Sequence, residues 1–258
     1  MARLTCQTRD MSPAATSLNS SQIKRARSCL LRWGRRNFKD YPWRSENDPW
    51  LTLAAEFMLQ RTRAVQVVPV FNEFRARFPT AECLVAAGLV AIREITGRLG
   101  LHRRGPQLVE LARQVAACGG TPPEVTHELK RFSGVGMYTA AAWLSLHRGK
   151  RAVIIDANVA RWLSRMTGLP YNRDPRHVRW VQDLAEQLTP RRAYRDYNYA
   201  VLDFTMAICT PRHPVCATCP LHAECRFFRD AASIELPPAT SARRSHRGHR
   251  QARPNAST

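Results

Sequence analysis

The sequence predicts an all-α fold, and three observations support this prediction. Apolar residues recur three or four positions apart along most of the 258 residues, which is the spacing of an amphipathic helix. The one strand-like run, residues 153–155, is too short to form a sheet. No segment recurs at a fixed period, which disfavours an array of repeats. A chain of this length forms one large domain or two small ones.

The apolar residues mark the predicted helices in chain order. Near-helical spacing first appears between Leu53 and Phe71 and is interrupted at Pro69. Tyr138 to His147 is rich in alanine and apolar residues, which predicts a buried helix. Four further helices are marked by Leu84, Val85, Ile92 and Ile95; by Leu108, Leu111, Ala112 and Val115; by Val159, Leu163 and Met166; and by Val181, Leu184, Ala185 and Leu188.

Both ends of the chain are predicted to be disordered. Residues 1–20 are rich in Ser, Thr and Ala, and residues 230–258 carry many arginines with few large apolar residues. Such segments cannot bury enough apolar surface to fold. The basic tail is either simply solvated or attracted to nucleic acid without sequence preference.

The charge of the chain predicts a polyanionic partner. Forty Lys and Arg face 20 Asp and Glu, which gives a formal net charge of +20 and a pI near 10.8. Nucleic acid is the commonest polyanion that such a chain binds. The sequence has no run of about 20 apolar residues and no apolar signal segment at its start, so neither membrane insertion nor secretion is expected. We expect a cytoplasmic protein, associated with a bacterial or archaeal nucleoid.

Four of the eight cysteines cluster near the C-terminus with metal-ligand spacing. Cys209, Cys216, Cys219 and Cys225 follow the pattern C-x6-C-x2-C-x5-C. Four thiolates bind either zinc or an iron–sulfur cluster, and zinc ribbons usually contain two widely separated C-x2-C pairs. The spacing therefore favours a [4Fe-4S] cluster over zinc, and disulfides are the weakest alternative. A clamped loop here would present Arg212 to DNA phosphates.

A glycine-rich turn precedes the alanine-rich helix. Gly134, Val135 and Gly136 stand directly before Met137, and glycines permit positive φ angles and a backbone exposed to a ligand. The free N–H groups at the start of a helix bind phosphate. The alternative is an ordinary helix–helix turn.

An aspartate follows about twenty residues later, directly after the strand-like run. Taken alone, Asp156 is most often a helix N-cap. The turn, the aspartate and the cysteines in this order resemble the endonuclease III and MutY branch of the helix-hairpin-helix (HhH-GPD) superfamily of DNA glycosylases. Further similar segments are Asp40 to Arg44, Glu56 to Thr62 and Asp196 to Phe204, so the resemblance covers most of the chain between Asn37 and Cys225.

The resemblance implies a two-domain fold with DNA in the cleft between the domains. A six-helix domain containing the hairpin is expected over residues 53–166. An iron–sulfur cluster domain is expected over residues 21–52 and 167–229. The target nucleotide is flipped out of the duplex, because its glycosidic bond cannot be reached inside the base stack. A monomer acting on double-stranded DNA is expected.

The resemblance also implies catalytic roles. Asp156 matches the family's catalytic aspartate, which stabilises positive charge on the sugar as the bond breaks. Glu56 matches the general acid of the MutY branch, and the alternative for it is a solvated helix face. Bifunctional relatives carry a lysine where this chain has Tyr138, which cannot form an imine with the sugar. We therefore expect base removal by water with little or no lyase activity.

The base specificity is predicted from departures within the resemblance. Gln60 and Arg61 occupy the segment that contacts the duplex beside the flipped base, and Arg61 replaces the glutamine of adenine glycosylases. Arginine at this position, together with Asp156-Ala157-Asn158, is more similar to the thymine-DNA mismatch glycosylases. The predicted substrates are thymine and uracil opposite guanine. The alternative is an adenine glycosylase acting opposite guanine or 8-oxoguanine that lacks the C-terminal recognition domain.

Two hypotheses lie outside this enzyme class. A catalytically silent DNA-binding protein would use the hairpin and cysteines for structure alone, but the presence of both Glu56 and Asp156 argues against it. A zinc-stabilised regulator would be colourless, whereas an iron–sulfur protein is brown.

Overall fold

The computed structural model describes residues 18–100, 102–171, 174 and 177–234, and these residues are all-helical without a β-strand. Short 3-10 turns join some of the helices. Most of the two segments predicted to be disordered lies outside the described residues. The α-helices are α1 (Ser20–Asn37), α2 (Pro49–Met58), α3 (Ala64–Arg77), α4 (Ala81–Gly97), α5 (Gly105–Ala117), α6 (Thr126–Leu129), α7 (Met137–His147), α8 (Ala157–Thr167), α9 (Arg179–Leu188), α10 (Tyr194–Ala207) and α11 (Arg226–Ile234).

The folded chain extends slightly beyond its predicted boundaries at both ends. Leu18 is buried, and Asn19 caps α1 by accepting a hydrogen bond from the Gln22 backbone at 2.9 Å. The Gln22 side chain in turn accepts from the Asn19 backbone, which completes a capping box. At the other end α11 continues to Ile234, past residue 229 where the folded part was expected to end.

The predicted interruption at Pro69 is wrong. α3 runs through Pro69, and the break lies earlier, between the end of α2 at Met58 and the start of α3 at Ala64. The proline costs α3 one backbone hydrogen bond. Burial of Val70, Phe71 and Phe74 on the opposite side outweighs this cost, because each large apolar side chain contributes about 1.5–3 kcal/mol.

Helices α2 to α7 enclose the first of two large hydrophobic cores. Its largest buried side chains include Trp50, Phe57, Phe74 and Trp143. Trp50 and Phe74 contact each other with ring centroids 5.7 Å apart, and the Trp50 indole donates to the Phe78 carbonyl oxygen at 3.1 Å. The first core therefore includes α2 over its whole length. Trp50 lies inside this core, whereas the predicted boundary had assigned residues 21–52 to the iron–sulfur cluster domain.

Helices α1, α8, α9 and α10 enclose the second core. In α8 the apolar residues Val159, Trp162, Leu163 and Met166 share one buried face. This face packs against α10, where the rings of Trp162 and Phe204 lie 6.1 Å apart. The second core thus takes in α8, which the predicted boundary at residue 166 had assigned to the six-helix domain.

A small junction cluster joins the two cores. It contains Ala142 and Leu146 of α7, Ile154, and Tyr199 of α10. A buried ion pair lies beside it, because Arg44 donates two hydrogen bonds of 2.8 Å to the fully buried carboxylate of Asp203. The Arg44 guanidinium also lies 4.3 Å from the centre of the Tyr199 ring. The segment before α2 is thereby fixed to α10, and the two cores are held against each other.

None of the described helices is long and apolar enough to cross a membrane.

Candidate active site at the junction of the two cores

Asp156 is held at the start of α8 by two hydrogen bonds. Its Oδ1 accepts from the Val159 backbone N–H at 2.7 Å, and its Oδ2 accepts from the Asn158 side-chain amide at 2.8 Å. Asp156 is therefore the N-cap of α8, as the local sequence suggests on its own. The cap fixes the orientation of the carboxylate, so this structural role is compatible with a catalytic one.

A chain of hydrogen bonds links Asp156 to the cysteine loop. Arg161 Nη1 donates to Asn158 Oδ1 at 2.8 Å, so one guanidinium positions the amide that contacts Asp156. The same guanidinium donates through Nη2 to the carbonyl oxygens of Cys209 at 2.8 Å and Thr205 at 3.0 Å. The orientation of Asp156 thus depends on a loop about fifty residues away along the chain.

Glu56 lies in the last turn of α2 and is buried. Glu56 is only 3% exposed, so the alternative that it lies on a solvated helix face is wrong. Glu56 Oε1 lies 2.9 Å from His147 Nε2, and the His147 side chain is 1% exposed. Among the described residues, His147 Nδ1 has no hydrogen-bond partner. The carboxyl group therefore has one strong partner, which comes from the last residue of α7.

Tyr138, in the first turn of α7, lies near both acidic side chains. Its pKa is raised well above the usual value, first by burial and then by the negative charges of Glu56 and Asp156. The Tyr138 side chain also packs against the junction cluster, which contains Ile154 two residues before Asp156. The structure thus brings together the three residues predicted to be catalytic, although they are separated by up to a hundred positions in the sequence.

The glycine-rich turn packs on α2 through Gly134. This residue has a φ of 72°, and a Cβ atom there would lie 2.3 Å from the Phe57 ring. Gly136 differs from the expectation of two positive φ angles, because its backbone is extended at φ −89°. A Cβ atom on Gly136 would meet nothing within 4 Å, so open space lies beside the start of α7. Val135 points inward and is buried, which leaves only its backbone for a ligand.

Gln60 fastens this turn to the end of α2. Its Nε2 donates to the Gly134 carbonyl oxygen at 2.9 Å and to Thr139 Oγ1 at 2.8 Å. Arg104 donates to both the side-chain and the backbone oxygen of Gln60. The next residue, Arg61, is exposed and has a φ of 60°, a backbone conformation that residues other than glycine rarely adopt. The pKa of Arg104 is lowered by burial and by the nearby charge of Arg61.

All four predicted cysteine ligands line one mostly apolar pocket. Its walls also include Trp162, Phe204 and Phe227. Burial raises the pKa of the Cys219 thiol to about 11, and those of Cys216 and Cys225 are raised for the same main reason. Within the described ranges, no three Cys, His, Asp or Glu side chains converge closely enough to hold a single metal ion. The predicted DNA contact Arg212 is exposed on the same loop.

Two residues of this site were not found by sequence reasoning. His147 has no neighbouring motif, and its contact with Glu56 bridges 91 positions. Arg104 lies 44 positions from the Gln60 that it holds. A lone histidine at the end of an apolar helix is the only sequence signal that either residue provides.

Comparison with known proteins identifies one family. The family model described as HhH-GPD superfamily base excision DNA repair protein matches residues 54–188. A thymine-DNA glycosylase of Aeropyrum pernix is 35% identical over 83% of this chain and 98% of its own length. A thymine/uracil-DNA glycosylase of Methanothermobacter thermautotrophicus is 32% identical over 80% of this chain and 94% of its own length.

Two further similarities bear on the fold and on the alternative function. The structure of a thermostable thymine-DNA glycosylase superposes with a TM-score of 0.76 at 33% identity, covering 81% of this chain and 98% of the other. The adenine DNA glycosylase of Homo sapiens is 31% identical over 80% of this chain. The matched region covers only 40% of the human protein.

Proposed function

This chain belongs to the HhH-GPD superfamily of base excision DNA repair proteins, and from this premise we propose that it excises thymine and uracil paired with guanine in double-stranded DNA. The enzyme is a DNA glycosylase, a hydrolase of N-glycosyl bonds, and it acts as a monomer. The single observation that carries the proposal is the position of Tyr138, which packs against the junction cluster and lies within reach of the charges of both Glu56 and Asp156. Two acidic groups near one side chain suit the two charges that separate when a base leaves its sugar.

Asp156 stabilises the sugar. As the bond between C1′ and the base breaks, positive charge develops on the deoxyribose, and a fixed carboxylate nearby lowers the energy of that state. The hydrogen bonds from Val159 and Asn158 hold the carboxylate before the substrate arrives. Little reorganisation is then needed during the reaction.

Glu56 assists the departure of the base. The electron pair of the broken bond leaves with the base, and a proton from Glu56 neutralises it. Water then adds to C1′ and loses a proton, which completes the hydrolysis. Tyr138 offers no amine for a covalent intermediate, so the product is an abasic site in an intact strand.

The glycine-rich turn and the start of α7 hold the backbone of the DNA. No side chain caps α7 at Gly136, which leaves the N–H groups of its first turn without a side-chain partner at the cap, and open space lies beside Gly136. These groups bind a phosphate together with the positive end of the helix dipole. Gln60 and Arg61 adjoin this turn, and we assign Arg61 to the gap left by the flipped nucleotide and Arg212 to a phosphate.

Cys209, Cys216, Cys219 and Cys225 suit a [4Fe-4S] cluster better than zinc. Four thiols face one pocket, yet they are not gathered around the position of a single ion, as zinc requires. A four-iron cluster is larger and takes one thiolate at each corner. When bound, it cross-links the loop that contacts Arg161. Iron and sulfide analysis should give about four irons per chain, whereas a stoichiometric zinc content without iron would contradict the assignment.

A panel of labelled duplexes tests the proposed function. G:T, G:U, A:G and A:8-oxoguanine duplexes are incubated with enzyme, and strand cleavage is compared with and without alkali. Release of thymine and uracil, with cleavage only after alkali, is the expected result. Excision of adenine instead would favour the alternative function. Cleavage without alkali would contradict the assignment as a glycosylase without lyase activity.

A further inference from the structure

His147 is the only partner that the described residues offer to the Glu56 carboxyl group through a hydrogen bond, and both side chains are almost completely buried. A lone charge at such a depth costs several kcal/mol, so neither group is stable there as an isolated ion. One proton shared across the 2.9 Å contact keeps the pair neutral overall, whichever residue carries it.

We propose that His147 and Glu56 act as one proton-donating unit, in which His147 positions the Glu56 carboxyl group and shares its single proton. This inference rests on the proposed glycosylase function and deepens it. His147 does not touch the departing base, so it is a positioning residue rather than a catalytic one.

The proton balance of the step is simple. The pair carries one proton before the reaction, either as a carboxylic acid beside imidazole or as a carboxylate beside imidazolium. When the C1′–base bond breaks, the base takes its electron pair and this one proton through Glu56, which leaves a Glu56 carboxylate beside a neutral imidazole. The pair regains a proton from solvent after the base has left. The water that adds to C1′ gives up one proton, so a single water molecule accounts for both products.

The position of His147 at the end of α7 favours this role. The last-turn carbonyls of a helix carry partial negative charge, which stabilises an imidazolium. Histidine is also the side chain whose ordinary pKa lies nearest to neutral pH. The charge of Glu56 also raises the pKa of Tyr138 at the other end of the same helix, so α7 supplies two of the groups around Glu56.

Among the described residues, other ionisable groups around the pair belong to α7, α8, α10 and the segment before α2. Tyr138 of α7 and Tyr199 of α10 lie close to Glu56, and burial raises the pKa of Tyr199 to about 12. Neither phenol therefore ionises near neutral pH. Asp156 at the start of α8 faces Tyr138, while Arg44 before α2 and Arg195 of α10 lie against the Tyr199 ring.

The test is the pH dependence of base excision under single-turnover conditions. His147→Gln keeps an amide hydrogen bond near the position of Nε2 but cannot carry a proton. We expect excision from G:U duplexes to slow about tenfold to a hundredfold at neutral pH, with an altered pH profile and unchanged duplex affinity. The matched control is His177→Gln, at an exposed histidine outside the site, which should retain the wild-type profile.

Two further measurements complete the test. The Glu56→Gln/His147→Gln double variant should be no slower than Glu56→Gln alone if the residues form one unit. In the wild-type protein, nitrogen NMR of the His147 ring should show a titration that Glu56→Gln shifts. This measurement does not depend on the folding of a His147 variant.

The outcomes separate the two proposals. An active wild-type enzyme whose His147→Gln variant keeps the same rate and profile would overturn this inference alone. A His147 ring that titrates identically in Glu56→Gln would also overturn it. A wild-type enzyme that releases no base from G:T or G:U would overturn the proposed function, and this inference with it.

Discussion

The two acidic residues of the site occupy opposite kinds of environment. Glu56 projects from the last turn of a buried helix of the first core, and its hydrogen-bond partner among the described residues is His147. Asp156 caps a helix of the second core and is held by a backbone N–H and an amide. The orientation of the Asp156 carboxyl group is therefore fixed by a helix cap, whereas that of Glu56 is fixed by one buried imidazole.

The surroundings of Glu56 and of Asp156 are also held in place by different interactions. The Glu56 side is rigid through packing, with Phe57 against Gly134 and Gln60 fastened to the hairpin. The Asp156 side is rigid through hydrogen bonds that extend to the cysteine loop. Loss of a metal centre should therefore affect Asp156 far more than Glu56.

Removing the charge of Asp156 should have the largest effect. Asp156→Asn keeps a side-chain oxygen that can still cap α8, so the fold should be preserved. Excision from G:U duplexes should fall by roughly 10³-fold or more, because stabilisation of the developing positive charge is lost. Single-turnover kinetics and duplex affinity measure the two effects separately. Excision close to the wild-type rate would remove Asp156 from the chemistry.

Glu56→Gln should have a smaller effect than Asp156→Asn. The amide keeps the hydrogen-bonding contact with His147 but supplies no proton, and loss of a general acid costs about 10²-fold or more. The loss should be greater for thymine than for uracil, because thymine is the poorer leaving base. Equal rates for the variant and the wild type on both bases would contradict the division of labour between the two acids.

The sequence predicted the two acids but not what holds them. Periodic apolar residues located α2 and α8 because helical spacing is a local property. Their placement at the junction followed from the resemblance. The His147 contact and the membership of α8 in the second core depend on which helix faces which, and neighbouring residues do not encode this. Pro69 inside α3 was missed for the same reason, because tertiary packing overrides its local preference.

The link between the cysteine loop and Asp156 can be tested with two matched arginines. Arg161 and Arg165 of α8 both donate to carbonyl oxygens of that loop, but only Arg161 contacts Asn158. Both Arg161→Met and Arg165→Met should lower the midpoint of thermal unfolding, since each loses hydrogen bonds made by a charged group. Only Arg161→Met should also slow excision, by about tenfold, which corresponds to roughly 1.4 kcal/mol. Equal excision rates in the two variants would show that Asn158 needs no support from the loop.

Substitution of Arg61 should give the smallest effect, and replacement by glycine should change stability and DNA affinity in opposite directions. The residue lies just beyond α2 with a φ of 60°, so its backbone is strained in a way that glycine relieves. Arg61→Gly should therefore raise the free energy of unfolding by up to about 1 kcal/mol, whereas Arg61→Ala should not. Both variants lose the exposed guanidinium, so both should bind G:T duplexes several-fold more weakly. Denaturant unfolding and duplex titration measure the two quantities. If Arg61→Gly gained stability without losing affinity, the strain at the end of α2 would have no connection with DNA binding, and the Glu56 side would contribute to recognition only through the hairpin.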